Sequence, residues 1–167
     1  MIAYALLLTF PMAMAFAAAN DLFTMKIPNK ISLALIAAFV LAAVYIRLPL
    51  EDALVHAGVG VAALVAGFVM FSLRLLGGGD AKLMAAGALW MGPDHAVLFI
   101  AYLTIFGGLL SALILFYRKY IPVTADAVPG WAARLHVQGT GIPYGIAIAA
   151  SGLLMYPSTA FYQALHM

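Results

Sequence analysis

Asp80 closes a run of three glycines, Gly77-Gly78-Gly79, in a chain where 8% of residues are charged and 66% are hydrophobic. A carboxylate at the centre of a bilayer costs on the order of 3 kcal/mol or more, so an ionisable group at membrane depth is a site candidate by default. The glycines let the backbone turn tightly or come close to another chain. Asp21, at the end of the first apolar stretch, supplies a second acid. Two carboxylates held together resist ionising at once and share a proton. The ionised member can then take a proton from water as it attacks an amide carbonyl. The protonated member hydrogen-bonds that carbonyl and assists departure of the amine. Such hydrolysis needs neither metal nor covalent intermediate, which suits a chain with no cysteine. Each acid also has a plainer reading, Asp80 as the N-cap of a following helix and Asp21 as a solvated interfacial charge.

The remaining polar residues offer less. Asp52 before Ala53 and Asp94 before His95 read as helix caps, Glu51 as a solvated acid and Asp126 as a loop residue. His56, His95, His136 and His166 form no pair at ligand spacing, so no metal and no cofactor is expected. Trp90 reads as an interfacial anchor and the methionines as packing residues. No basic run with interleaved aromatics points to nucleic acid.

The elements that must carry these acids follow from hydropathy. With a mean hydropathy of +1.10 over 167 residues, the chain reads as an all-α polytopic membrane protein of one domain. Six segments emerge: Ile2–Ala19 (with Pro11 inside), Ile31–Leu48, Ala53–Leu73, Ala81–Met91, His95–Tyr117 and Gly141–Tyr156. The first lacks a basic start and is long for a signal peptide, so it reads as a retained span. The connections Asn20–Lys30, Arg74–Asp80 and Ile121–Thr140 fall on one face. That face, with the flanking Lys82, collects Lys26, Lys30, Arg74, Arg118, Lys119 and Arg134 and leaves Arg47 on the other. The positive-inside rule makes the basic face cytoplasmic and puts both termini outside. Asp21 and Asp80 then share the cytoplasmic side. The fourth segment is short, about 17 Å at 1.5 Å per residue, against a hydrocarbon core of about 30 Å. Asp80 is therefore expected inside a recess. Gly58, Ala62 and Ala66 form a small-residue stripe that suits packing inside the bundle or, alternatively, a homodimer. In the Ile121–Thr140 connection, a short interfacial segment anchored by Trp131 and a plain loop are both open.

Three sequence elements carry a family resemblance. Asp21 is followed six residues later by Ile27-Pro28-Asn29. Gly77-Gly78-Gly79-Asp80 reads as G-x-G-D and continues Ala81-Lys82-Leu83. Ile142-Pro143-Tyr144-Gly145 gives a Pro-aromatic-Gly element. In this order on a six-segment chain, they resemble the type IV prepilin peptidases, aspartic proteases of the bacterial inner membrane. The resemblance implies that Asp21 and Asp80 are the catalytic pair, which removes a basic leader from a prepilin at the cytoplasmic face. Larger members carry a cysteine-bearing domain and methylate the new terminus. Here the first connection is short and lacks cysteine, so methyltransferase activity is not expected, and the size resembles the branch serving Flp (Tad) pili. Gly77, Gly78 and Gly79 could let substrate backbone approach Asp80 or could serve a tight turn alone. Pro143 and Gly145 could hold an open backbone edge for substrate, or Pro143 could start a helix; Tyr144 between them is a candidate substrate contact. Lys82, with Lys26 and Lys30, could attract an acidic substrate residue or serve orientation only. The expected partners are a prepilin and the lipid bilayer. A proton-coupled transporter subunit, or a structural subunit of a secretion assembly, is the competing class; the first predicts midplane acids and internal repeats.

Overall fold

The computed structural model describes residues 2–121, 128–137 and 139–166. Asp126 lies outside the described residues. The fold is all-α: α1 Ile2–Thr24, α2 Asn29–Tyr45, α3 Leu50–Ser72, α4 Gly78–Tyr120, α5 Gly130–His136, α6 Tyr144–Met155 and α7 Ala160–His166, with a 3-10 turn at Tyr156–Ser158 before α7. Ala3–Thr24, Leu50–Ser72 and Gly78–Tyr120 are each long and apolar enough to cross a membrane. Many large apolar side chains point outward, among them Leu54, Val61 and Phe68 of α3. In water such a surface would be unstable; against lipid it is the expected exterior.

α4 is two helical arms. Gly92 adopts φ 65°, ψ −173° and interrupts the helix immediately before Pro93. The arms fold back on each other, because a Cβ on Gly87 would lie 2.8 Å from the Phe99 ring. A straight helix would separate those positions by about 18 Å. The break therefore reproduces the expected separation of a fourth and a fifth segment, with the boundary at one residue. The first arm starts at Gly78, three residues before the expected Ala81, and so is longer than predicted. α3 and α6 pack along α4, α2 lies against it, and α1 packs on α6.

The first helix also outruns its prediction, reaching Thr24 instead of Ala19. Asn20 and Thr24 do not break it, because their side chains bond back to Phe16 O at 2.9 Å and Asn20 O at 2.7 Å. The following connection shrinks to Met25–Pro28, with Met25 at φ 55°. Between α4 and α6, α5 is a helix. It is held by the Phe23–Trp131 ring contact, by Arg134 donating to Phe23 O at 2.6 Å, and by Arg118 donating to Leu135 O at 2.6 Å. Gly130–His136 is thus a short helix anchored at Trp131, the first of the two readings left open for this connection.

Two sequence expectations are overturned. Trp90 is no interfacial anchor: it is fully buried, packs against Phe10, Phe39, Tyr156 and Phe161, and donates to Leu35 O at 3.0 Å. The Gly58, Ala62, Ala66 stripe does not pack inside the bundle. All three are exposed, and α3 meets α4 through Gly60 and Gly67, where added Cβ atoms would lie 3.1 Å from Leu89 Cβ and 2.9 Å from Ala81 Cβ. Two stripes of small residues run along α3, and α4 is covered by the second.

The end of the molecule remote from the aspartates is closed by aromatic groups. Pro11 has no N–H to give Leu7 O within α1, and Tyr156 Oη donates to that carbonyl at 3.0 Å. Leu89 O, in the last turn before Gly92, is met by His56 Nδ1 at 2.8 Å. The first bond is buried and the second half-buried, so both satisfy carbonyls that would otherwise be costly.

Candidate functional site

Asp80 lies in the first turn of α4, but Gly77 is the N-cap. The Asp80 side chain reaches back, and Gly77 N–H donates to its Oδ2 at 3.2 Å. The expectation of Asp80 as N-cap is thereby corrected: it is the third helical residue, where a carboxylate bonds the N-cap amide as in half of a capping box. A carboxylate is also favoured there by the helix dipole. Its second oxygen, Oδ1, is buried and unpartnered.

Asp21 sits in the last turn of α1, 5% exposed, against 9% for Asp80. It is therefore not a solvated interfacial charge. Gly145 N–H, in the first turn of α6, donates to Asp21 Oδ2 at 2.7 Å. The carboxylate thus sits on the N-terminus of α6, an arrangement that favours negative charge. Pro143, buried, is the N-cap of that helix. The expected open backbone edge is absent at Gly145, because its N–H is already engaged.

The two acids, remote in sequence, line the same two recesses. One, of about 490 Å³, is walled by Met25 to Asn29 and by Gly77, Gly78 and Gly79. The other, of about 690 Å³, is walled by Phe71, Arg74, Leu76, Gly141, Ile142 and Tyr144. Asp21, Met25, Gly77 and Asp80 belong to both, so the carboxylates stand where the recesses join.

The glycines act differently from the tight turn considered for them. Gly77 has φ −72°, and neither Gly78 nor Gly79 takes a positive φ. What they allow is close approach. A Cβ on Gly77 would meet Asp80 Oδ2, one on Gly79 would lie 3.1 Å from Ile27 Cβ, and one on Gly78 would lie 3.4 Å from the Phe71 ring. Ile27 of the Ile-Pro-Asn stretch thus packs on the G-x-G-D turn, and its Cδ1 also lies 2.9 Å from where a Gly145 Cβ would be. The three sequence elements meet at this one side chain.

Tyr144 lines the larger recess and pairs through its hydroxyl with Ser111 Oγ at 3.2 Å. Its ring covers Gly107, where a Cβ would fall 3.0 Å away. Ser111, Gly107, Met25 and Arg118 were not singled out as site residues; Arg118 donates to Thr140 O at 2.8 Å and fixes the approach to Gly141. Only their position in the fold reveals them. Lys82 stands apart from the carboxylates: its Nζ donates to Asn29 Oδ1 at 2.9 Å at the mouth of a separate groove. Asp52 lies in the first turn of α3, behind a Pro49 N-cap, and Asp94 lies within the second arm of α4, so neither is the N-cap expected of it. Among the described residues no group of three or more His, Cys, Asp or Glu could hold a metal.

Helical architecture and a buried pair of acids at one end define a multi-pass membrane protein with a carboxylate site. The model of the type IV leader peptidase family matches residues 8–112, and the chain belongs to that family. The match contains Asp21 and Asp80 but ends before Tyr144 and Gly145. No curated protein and no solved structure gives a significant match. As a family member the chain is a prepilin leader peptidase in general terms, with a prepilin as its class of substrate.

Proposed function

We propose that the chain is an aspartic endopeptidase in which Asp21 and Asp80 are the catalytic pair. The observation that carries this reading is their convergence: two buried carboxylates from α1 and α4 line both recesses, and each is fixed by a backbone N–H. One carboxylate removes a proton from water, and the hydroxide adds to the scissile carbonyl. The protonated partner hydrogen-bonds the developing oxyanion. A proton then passes to the amide nitrogen and the C–N bond breaks. Gly77, Gly78, Gly79, Pro143, Tyr144 and Gly145 shape the space around the reacting bond, and Lys82 acts at a distance from it, through Asn29.

The finer identity of the enzyme belongs to the same proposal. The chain is a single membrane-embedded peptidase domain that crosses the bacterial inner membrane six times with both termini outside. It removes the basic leader at the cytoplasmic face, and its prepilin is of the Flp (Tad) type. Support comes from the clustering of Lys26, Arg74, Lys82, Arg118 and Arg134 at the aspartate end, with Arg47 in the connection at the other. The Met25–Pro28 connection leaves no inserted domain between α1 and α2, in keeping with peptidase activity without N-methylation. Asp21→Asn and Asp80→Asn each keep side-chain size while removing the acid. Either variant, inserted normally in membranes, should cleave a prepilin at least 1,000-fold more slowly than the parent (about 4 kcal/mol). Near-parental cleavage by either one refutes the dyad.

A further inference from the structure

α2 and α3 both lie on residues 78–91 of α4, yet they barely touch each other. Their ring contact, Phe39 on His56 at 5.6 Å, falls at the end remote from the aspartates. Toward the aspartates they leave an apolar groove of about 470 Å³, with Leu33 and Ile36 on one wall and Val61 and Leu64 on the other. Its floor is built from small residues of α4, Ala85 and Ala86, so a helix backbone can come close. The groove runs along α4 from Lys82 to Leu89, two helical turns or about 10 Å. Asn29 lines both this groove and the smaller aspartate recess, so the two spaces adjoin at its side chain.

A second observation points to an occupant. Among the described residues, two buried side-chain polar atoms have no hydrogen-bond partner: Asp80 Oδ1 and Ser32 Oγ. Ser32 is 5% exposed and lines the groove. Other hydroxyls of this chain bond back to the carbonyl four residues earlier, as Thr9, Thr24, Ser72 and Ser111 do. Ser32 does not, although an unmet hydroxyl away from water costs about 1–3 kcal/mol. One orphan thus faces the cleavage recess and the other the groove beside it.

We propose that the groove seats the apolar helix of the prepilin immediately C-terminal to the scissile bond, with Ser32 Oγ accepting from a free backbone N–H of its first turn. The proposal rests on the peptidase reading above. It explains why the groove's walls are exposed apolar side chains and why α2 and α3 meet only at its far end, at Phe39 and His56: an apolar helix enters from the bilayer, and only its polar N-terminal extension passes Asn29 to reach the aspartates. Ser32 is a positioning residue in this scheme, and α2, α3 and the first arm of α4 form an exosite.

The test is site-specific photocrosslinking in the full chain in membranes, with Asp80→Asn to hold the substrate uncut. Benzoylphenylalanine at Leu33, Ile36, Val61 or Leu64 should capture the first turns of the prepilin helix. The same probe at Val55 and Ala66, exposed α3 positions outside the groove, should give at most one-tenth of that yield. In the active enzyme, Val61→Trp or Leu33→Trp should raise KM for full-length prepilin roughly tenfold. Neither should change cleavage of a soluble peptide that spans the cut but lacks the apolar helix. Ser32→Ala should raise KM with kcat kept, and Ser32→Thr should restore it. Equal capture inside and outside the groove, capture of a diazirine phospholipid in place of prepilin, or an unchanged KM in the tryptophan variants each overturns the proposal. Crosslinking reads binding and not cleavage, so failure of the Asp21–Asp80 assignment would show separately, as cleavage by the Asn variants.

Discussion

Gly145→Ala isolates the geometry of the carboxylate pair without removing either acid. The added Cβ would lie 2.9 Å from Asp21 Cβ, from Asp21 Oδ2 and from Ile27 Cδ1. Ordinary van der Waals contact begins near 3.4 Å, so Asp21 or α6 must shift by about half an ångström. The Gly145 N–H survives in alanine, so the 2.7 Å bond can re-form, but at a displaced position. The net loss of stability is about 0–2 kcal/mol, because overpacking costs about 1–3 kcal/mol while alanine is a better helix former than glycine by about 1 kcal/mol. Catalysis is more sensitive. A misplacement of about 1 Å can cost 100-fold, so half of that predicts a fall in kcat of roughly tenfold, about 1.4 kcal/mol. The assay is leader removal from a prepilin in reconstituted membranes, with thermal unfolding in detergent alongside. Gly130→Ala is the control, because its Cβ would meet nothing within 4 Å. If Gly145→Ala cleaves within twofold of the parent, or loses no more than Gly130→Ala, the contact between α6 and Asp21 does not position the reaction.

Three further outcomes follow from the packing. Tyr156→Phe should destabilise the chain by about 1–2 kcal/mol by orphaning Leu7 O. Pro11→Ala supplies a helical N–H for that carbonyl, so the double variant should lose less than the two single losses combined, measured as a thermal-unfolding cycle. Gly92→Ala should be among the most damaging single changes, since φ 65° is strained for alanine and the new Cβ would run into the His56 ring; its detergent melting point should fall further than that of His56→Ala, which leaves Leu89 O unmet at about 1–3 kcal/mol. Arg118→Ala should release Leu135 O and Thr140 O and loosen the chain leading to Tyr144, lowering kcat about tenfold with little change in melting point.

Hydropathy and breakers alone indicated an all-α membrane chain, a break between the fourth and fifth segments and two acids at the same end. The break was legible because Gly92-Pro93 is a strong local signal. The end of the first helix was not, because Asn20 and Thr24 look like loop residues until their side chains bond back to the helix. The stripe at Gly58, Ala62 and Ala66 has the same spacing whichever way α3 turns, and only its packing on α4 shows that Gly60 and Gly67 face inward. Trp90 misleads for a similar reason: an indole two residues before Gly92-Pro93 suits an interface, and the carbonyl that satisfies it, Leu35 O, lies in another helix. Pairing of Asp21 with Gly145 is a contact across 124 residues; nothing in the local sequence of either segment marks the other as its partner.

The two ends of the molecule use polar groups in opposite ways. At the aromatic end, the carbonyls freed by Pro11 and by the Gly92 break are met by Tyr156 and His56, and Trp90 is engaged inside an aromatic cluster. At the other end, Asp80 Oδ1 and Ser32 Oγ are left unmet beside open recesses. Unmet polar atoms in a low-dielectric setting lose stability that a bound partner can restore. Close packing at one end holds the helices in fixed relation, so the other end can keep its cavities open without the bundle collapsing into them. A membrane peptidase must admit water, a peptide bond and an apolar helix at one place; on the proposed reading the recesses at the acids take the first two and the groove between α2 and α3 takes the third. On that reading, stability concentrated away from the aspartates is what allows Asp80 Oδ1 and Ser32 Oγ to stay unmet until substrate arrives.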